Sequence, residues 1–555
     1  MKKYENYTKE QLIQKVKQLE SKKYGLIWDD EKEPEKVVIE CQNNIPILKK
    51  IDGKTIKTDM KKPTNILIEG DNYHALQVLN YTHKGQIDVI YIDPPYNTGN
   101  KDFKYNDSFV DKEDGYRHSK WLNFMSKRLK LAHNLLKEEG LIFISIDDNE
   151  VAQLKLLCDY VFKNNFISQL IWKKKAGGGS DAKYFASDHE YILIYAKEET
   201  NLKNFFTKIS DKQRKEYKFK DDNFEKYGFY KRKNLYQTGI DDNRPNLRYE
   251  IIAPDGSKIL PPTIWRWSKE TFELEQKQGK IDIVLDTKGI WQVYTKNYLY
   301  EEDNSERQIK PRSLLLEQGL TRDGNNDLKN IFETSNFSYP KPVKLIKYLL
   351  EITSKPNSTI LDFFAGSGTT GHAVLELNKE DGGNREFILC TNNENSICEE
   401  VTYPRISKVI NGYTTPKGVN MKGLGGNLDY YKTDLIPTNG ISNITDSTRE
   451  ELTKKAGNMI AIKENTHFLV ELCEYYQIFI NEATQKQTAI YFTEDLSCFN
   501  ELIEKTKIHF TKLYIFSFGK IDKSSYKYLG KNYQIEDIPE PIIEIYKEIN
   551  KERIL

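Results

Sequence analysis

The sequence predicts an α/β fold built on a doubly wound parallel sheet, interrupted by an inserted module and followed by a smaller α/β domain. Three observations carry this. Short apolar runs alternate with helical apolar spacing, the pattern of strands covered by helices on both faces. From about Thr200 to Ser335 the alternation stops, and Lys, Arg, Asn, Tyr and Trp dominate. The alternation then returns, and beyond residue 440 further strands are expected at Ala489 to Phe492 and Leu513 to Phe518.

The 555 residues leave room for a large core and additional domains. With 38% apolar and 30% charged residues, the chain reads as soluble and cytoplasmic. It shows no apolar run able to cross a bilayer, and its first residues, Met1 to Asn6, lack the apolar centre of a signal peptide. Six scattered cysteines (Cys41, Cys158, Cys390, Cys398, Cys473, Cys498) have no zinc-like spacing and read as reduced thiols. A net charge of +1 excludes no partner, because a neutral protein can gather basic residues on one face.

Taken in order, residues 1–60 form an N-terminal extension with a surface helix expected over Glu10 to Ser21. The first half of the core, 61–199, opens with the strand Ile66 to Ile68, ending at Glu69-Gly70-Asp71, and a helix near Tyr73 to Asn80. The strand Ile87 to Ile92 ends abruptly on Asp93-Pro94-Pro95-Tyr96. A helix over Ser119 to Lys137 stops at Gly140, and Leu141 to Ile146 is the next strand. A helix over Asn149 to Phe162 and strands at Phe166 to Trp172 and Tyr191 to Tyr195 follow. The inserted module spans 200–335, the second half of the core 336–412, an irregular connector 413–440 and the C-terminal α/β domain 441–555.

Two motifs carry chemistry. Asp93-Pro94-Pro95-Tyr96 stands at the carboxyl end of a buried strand, where open α/β sheets bind ligands. An aromatic amine is a poor nucleophile, since its lone pair is delocalised into the ring. A carboxylate (Asp93) and a backbone carbonyl (Pro94, held by the ring of Pro95) accepting its two N–H groups push electron density onto nitrogen. Tyr96 offers a face on which an extruded base can stack. The second motif is the strand, Gly-rich turn and helix from Ile360 to Leu377, containing Asp362-Phe363-Phe364-Ala365-Gly366-Ser367-Gly368-Thr369-Thr370-Gly371. Its glycines let backbone approach a ligand, and the helix N-terminus favours a carboxylate. It has neither the Gly-Lys-Ser/Thr of a P-loop nor dinucleotide spacing.

Together these motifs resemble the catalytic and cofactor motifs of DNA amino-methyltransferases. Their order, catalytic first and cofactor last, resembles the beta group, a circular permutation of the Rossmann-like methyltransferase fold. Further strings, Asp93 to Asn100, Ser119 to Met125, Ile144 to Glu150, Ser338 to Pro342 and Glu399 to Ile406, look like the modification (Mod) subunit of Type III restriction-modification systems. The resemblance implies S-adenosyl-L-methionine as cofactor, no metal, and methyl transfer to N6 of a flipped adenine in double-stranded DNA. It implies a base pocket of Asp93, Pro94, Pro95 and Tyr96. Asp362, Phe364, Gly366, Ser367, Gly368, Thr369 and Thr370 would hold the cofactor, with Lys341 bordering the pocket and Asp71 contacting the cofactor's adenine. Where an acid for the ribose is usual, Thr391-Asn392-Asn393-Glu394 stands here, so Asn393 or Glu394 is the candidate. The inserted module becomes a target-recognition domain. A homodimer, a separate restriction subunit and a nucleoid-associated location are further implications. Cytosine-N4 methylation, a stand-alone enzyme, an RNA or protein amide methyltransferase, and a catalytically idle DNA-binding subunit remain the alternatives.

Within the module, Lys231, Arg232, Lys233, Arg244, Arg248, Arg266 and Arg312, interleaved with Tyr230, Tyr236, Trp265 and Trp267, are candidates for DNA contact or for a basic surface over an aromatic mini-core. Lys173-Lys174-Lys175 before Gly177-Gly178-Gly179 is read as a mobile loop near the target strand. Asp147 and Asp148 are read as helix caps, His372 as packing, and His189 as lacking the companions of a metal ligand.

Overall fold

The computed structural model describes residues 8–10, 12–13, 16, 34–59, 61–177, 183–237, 244–333, 337–441 and 443–551. The helix expected over 10–21 and the glycines at 178–179 lie largely outside them. The chain divides into two compact units, 204–311 and the remainder.

The larger unit is built on a ten-stranded sheet. In chain order its strands are β1 (Asn44–Lys50), β2 (Thr64–Glu69), β3 (Ile87–Ile92), β4 (Leu136–Ile146), β5 (Phe166–Lys173), β6 (His189–Ala196), β7 (Leu314–Leu315), β8 (Thr359–Asp362), β9 (Glu386–Thr391) and β10 (Asn427–Pro437). In space they run β1-β10-β2-β9-β8-β3-β4-β6-β5-β7. The six from β10 to β4 are parallel. β6 runs antiparallel to both neighbours, and β1 closes the other edge antiparallel to β10. The sheet is therefore mixed at its margins and parallel at the centre. Central strands are continuous apolar runs because both faces are covered, as in β3, where only Asp88 departs from full burial. That carboxylate accepts from the Thr359 amide and from Lys137 Nζ, both at 2.8 Å, tying the starts of three strands together.

The helices that position the site are α1 (Asn72–Thr82), α2 (Arg117–Leu135), α3 (Val151–Val161), α4 (Thr321–Ile331), α5 (Val343–Thr353), α6 (Thr369–Asp381) and α7 (Tyr403–Asn411). α2 ends earlier than expected, and β4 begins at once at Leu136. The residues up to Gly140 form an irregularity in the β3–β4 ladder rather than a loop.

Four boundaries differ from expectation. The N-terminal extension contributes a strand, β1, to the sheet. The presumed connector contains a hairpin (Gly412–Thr414 with Asn420–Lys422) and then β10, an interior strand whose Leu428, Tyr430, Tyr431 and Ile436 are buried. Glycines at 423, 425 and 426 disguised it. Residues 312–333, expected in the module, belong to the larger unit: β7 pairs with β5, and α4 packs against α7. The C-terminal segment does form a five-stranded sheet, but its helices α8 (Gly457–Glu464) and α9 (Glu540–Lys551) pack on α1, so it shares the main core instead of folding as its own unit.

The unit at 204–311 has a three-stranded antiparallel sheet, Tyr230–Asn234, Trp291–Tyr298 and Ile281–Leu285, over a core of Leu235, Ile251, Trp265, Phe272 and Val293. Trp265 is buried and Trp267 and Tyr236 pack against that core, so these aromatics serve the module's own stability.

Gly324, in α4, lies under the segment that carries Lys341. A Cβ there would sit 2.1 Å from the Pro340 carbonyl oxygen, a backbone atom that cannot swing away. Gly324→Ala is expected to lower stability by about 1–3 kcal/mol, despite the better helix propensity of Ala, as measured by urea unfolding. An unchanged midpoint would mean that the contact is relieved at no cost.

Candidate active site

β3 and β8 are adjacent and parallel, with Val89 opposite Ile360 and Ile90 opposite Leu361. Their carboxyl ends therefore deliver the Asp93 corner and the Gly-rich turn to the same edge of the sheet. Lys341 spans the two. Its ammonium lies 2.8 Å from both Asp93 oxygens, 2.9 Å from the Tyr96 hydroxyl and 3.3 Å from Glu190 Oε2. Its backbone carbonyl accepts from Thr369 Oγ1 at 3.3 Å, at the first residue of α6.

The catalytic corner is braced from behind. Trp121 Nε1 donates to the Pro95 carbonyl at 2.7 Å. The Tyr96 hydroxyl stands 2.9 Å from Asp93 Oδ1 and 3.0 Å from Glu190 Oε2 and donates its single hydrogen to one of them. Burial pushes the Asp93 carboxyl above its ordinary value, against the pull of Lys341. Burial acts on Glu190 in the same sense, but the ammonium groups of Lys341 and Lys174 outweigh it and hold that carboxyl below its usual range.

The turn is held by its own side chains. Asp362, 3% exposed, accepts from the Phe364 amide at 3.0 Å and the Thr370 hydroxyl at 2.5 Å, and burial pushes its carboxyl up to about 7. The buried Arg405 donates to Ser367 Oγ at 3.0 Å and Thr369 Oγ1 at 2.9 Å, while Thr402 Oγ1 donates to the Gly366 carbonyl at 2.6 Å. The hydroxyls of Ser367, Thr369 and Thr370 are thus engaged within the protein, and what the turn offers a ligand is backbone. Gly366 (φ 48°) and Gly368 (φ 80°) take left-handed conformations that L side chains resist, and the first amides of α6 have no partner within the helix.

Residues 87–402, spanning both corners, match the family described as DNA methylase. This chain belongs to that DNA methylase family. It is 31% identical over 376 residues to the Type III restriction-modification enzyme StyLTI Mod subunit of Salmonella typhimurium, covering 63% of this chain and 56% of that one. It is 34% identical over 387 residues to the EcoPI Mod subunit of Escherichia phage P1, covering 60% and 58%. It is 35% identical over 348 residues to the Type II methyltransferase M.KpnI of Klebsiella pneumoniae, covering 58% and 79%. The chain therefore spans less than two thirds of the length of the two Mod subunits.

Asp71 caps α1 through the Tyr73 amide at 2.7 Å and lies 3.4 Å from Arg128, at the carboxyl end of β2 and with its carboxylate still accessible. Its neighbour Asn72, not singled out in the sequence, donates to the Phe363 carbonyl at 3.1 Å and ties α1 to the turn. Asn393 Oδ1 accepts from the amides of Cys398 and Glu399, both at 3.1 Å, and its Nδ2 donates to Glu399, so it caps the π-helical turn Ile397–Thr402. Open amides at a helix start attract such a side chain, and the amide group has a second Nδ2 hydrogen beyond these bonds. Glu394 is paired with Lys104.

Asp147 caps the turn before α3 through the Asn149 amide, whereas Asp148 accepts from Tyr191. His372 packs beside Glu376 and Arg405. Lys231 and Arg232 are paired with Glu216 and Asp282, and Lys233, Arg244, Arg248 and Arg266 are exposed. Arg312 falls in the larger unit. Glu190, Arg405 and Thr402 carried no role in the sequence reading. A lone acid opening a strand, and Arg and Thr inside an amphipathic helical stretch, look like surface residues until their burial is known.

Asn97, buried and left-handed (φ 57°), fixes the exit of the catalytic corner by donating to Glu150 Oε1 at 2.5 Å. Glu150 is fully buried, stands 2.7 Å from His118 Nδ1, and its second oxygen has no partner among the described residues. Burial pushes its carboxyl up to about 8, against the Asn97 hydrogen bond. A folded-state value above the unfolded one gives stability that is complete below the unfolded value, near 4.5, and is lost as pH rises toward 8. Glu150→Gln, which cannot ionise, should therefore melt at a temperature that gains on the parent's between pH 5 and 8. A constant difference across that range would remove Glu150 from the account.

Proposed function

We propose that this chain is an S-adenosyl-L-methionine-dependent DNA methyltransferase acting on N6 of an adenine turned out of its duplex, as the modification subunit of a Type III restriction-modification system. The observation that carries the reading is the shared edge: a carboxylate–diproline–tyrosine corner and a glycine turn at the ends of adjacent parallel strands, joined by Lys341. Its likeness to the two Mod subunits and its Asp before Pro-Pro favour adenine over cytosine N4. A restriction subunit as partner follows the same likeness, and a homodimer is part of the proposal.

The residues present fit the cofactor by the chemistry they offer. The open amides at the start of α6 suit a carboxylate, the half-buried Phe364 offers an apolar wall, and Asp71 stands ready for an adenine amine. When bound, the sulfonium supplies an electrophilic methyl group. Tyr96 stacks the target base, and Asp93 and the Pro94 carbonyl accept its two N6 hydrogens, which raises electron density on nitrogen. Bound there, the cofactor would supply its methyl carbon to N6 and would leave as the neutral thioether. N6 then loses one proton, initially along the hydrogen bond to Asp93, and water carries it away.

Incubation with methyl-labelled cofactor and duplex DNA should place label on adenine N6. Asp93→Ala should lower transfer by at least about two orders of magnitude while binding S-adenosylhomocysteine as the parent does. Label on cytosine, or undiminished activity in the variant, would refute the assignment.

A further inference from the structure

Glu190 sits at the start of β6, 9% exposed, facing the catalytic corner although it belongs to neither motif. Four ionisable groups meet there: Asp93 and Glu190 against Lys341 and Lys174. Lys341 is 2.8 Å from each Asp93 oxygen and 3.3 Å from Glu190, and Lys174 is 3.3 Å from the other Glu190 oxygen. The charges balance in pairs, and the ammonium of Lys341 stands between two carboxylates.

This arrangement raises a difficulty for the chemistry proposed above, on which the inference rests. Asp93 must accept an N6 hydrogen, yet both its oxygens already receive hydrogens from Lys341, and Oδ1 also stands 2.9 Å from the Tyr96 hydroxyl. Lone pairs remain on the carboxylate, but an ammonium binds it more strongly than a neutral aromatic amine does and draws off the electron density that N6 would receive. Driving Lys341 out of the pocket is no remedy, because it is buried and stripping it of its partners leaves an uncompensated charge. It needs a second anion within reach of a small side-chain rotation, and Glu190 supplies one, already in contact.

We propose that Glu190 is a positioning residue that receives the Lys341 ammonium when the target base enters, freeing an Asp93 oxygen for the N6 hydrogen. Lys341 keeps the Tyr96 hydroxyl as a common partner throughout, so the tyrosine face on which the base stacks need not move. Lys174 keeps Glu190 ionised and ready in the absence of DNA. Glu190 touches neither substrate nor cofactor in this scheme and acts only through Lys341.

The test compares four full-length proteins: the parent, Glu190→Gln, Lys174→Met and the double variant Glu190→Gln/Lys174→Met. For each, kcat and KM with duplex DNA, the Kd for S-adenosylhomocysteine and the thermal midpoint are measured. Glu190→Gln should lower kcat about tenfold to a hundredfold, with the S-adenosylhomocysteine Kd unchanged. The double variant restores the charge balance without restoring the second anchor and should stay slow. Recovery of kcat in the double variant would show that net charge alone matters and would overturn the proposal, as would parental kcat in Glu190→Gln. Should Glu190→Gln fail to fold, Glu190→Asp, which keeps the charge but withdraws it by one methylene, reads the same question: reduced kcat supports the proposal and parental kcat overturns it. A parent that transfers no methyl to DNA refutes the underlying reading, and the anchor role falls with it; a parent that does so while Glu190→Gln is equally fast refutes the anchor alone.

Discussion

The two ends of Lys341 face different corners of the site. Its ammonium lies among Asp93, Tyr96 and Glu190, and its carbonyl is fastened to Thr369 at the mouth of α6. Nothing else among the described residues joins the catalytic corner to the Gly-rich turn so directly, although 248 positions separate Lys341 from Asp93 in the chain. The parallel pairing of β3 with β8 brings both corners to one edge, and Lys341 then fixes their spacing. That spacing matters because in-line transfer tolerates little misplacement of the reacting atoms.

The surrounding structure supports this link from two sides. Gly324 lets α4 come close enough to the Pro340–Lys341 backbone to hold it in place. Arg405 and Thr402, on the far side of the turn, occupy its hydroxyl and carbonyl groups, so the glycine backbone rather than the side chains faces outward. Buried polar groups of this kind contribute little net stability, but each leaves an expensive unpaired partner when removed. Their effect is to make one geometry of the turn much better than its neighbours.

Much of this was legible in the sequence. Strands β2, β3, β4 and β8 announce themselves as apolar runs, because burial on both faces admits little else, and the two motifs stand at the carboxyl ends of β3 and β8. Residues in contact with the site through tertiary structure alone were not legible. Glu190 looks like one acid in Asp188-His189-Glu190-Tyr191, and only the antiparallel insertion of β6 beside β4 carries it inward. Asn393 entered as a ribose candidate through the family resemblance alone, and its capping of the next turn through the amides of Cys398 and Glu399 was not legible. β10 was hidden by flanking glycines, and the C-terminal sheet could not be recognised as part of the main core without seeing α8 and α9 against α1. The aromatics of the inserted module show the same limit, since Trp265 and Trp267 have the composition of a nucleic-acid surface but the position of a core.

The most direct measurement is a crystal structure of the protein with S-adenosylhomocysteine and a DNA duplex carrying the target adenine. One cleft is expected, with the cofactor against the Gly366–Thr369 turn, the base stacked on Tyr96, and N6 hydrogen-bonded to Asp93. A cofactor bound at another strand end, or a base seated away from Asp93 with Lys341 between them, would contradict it.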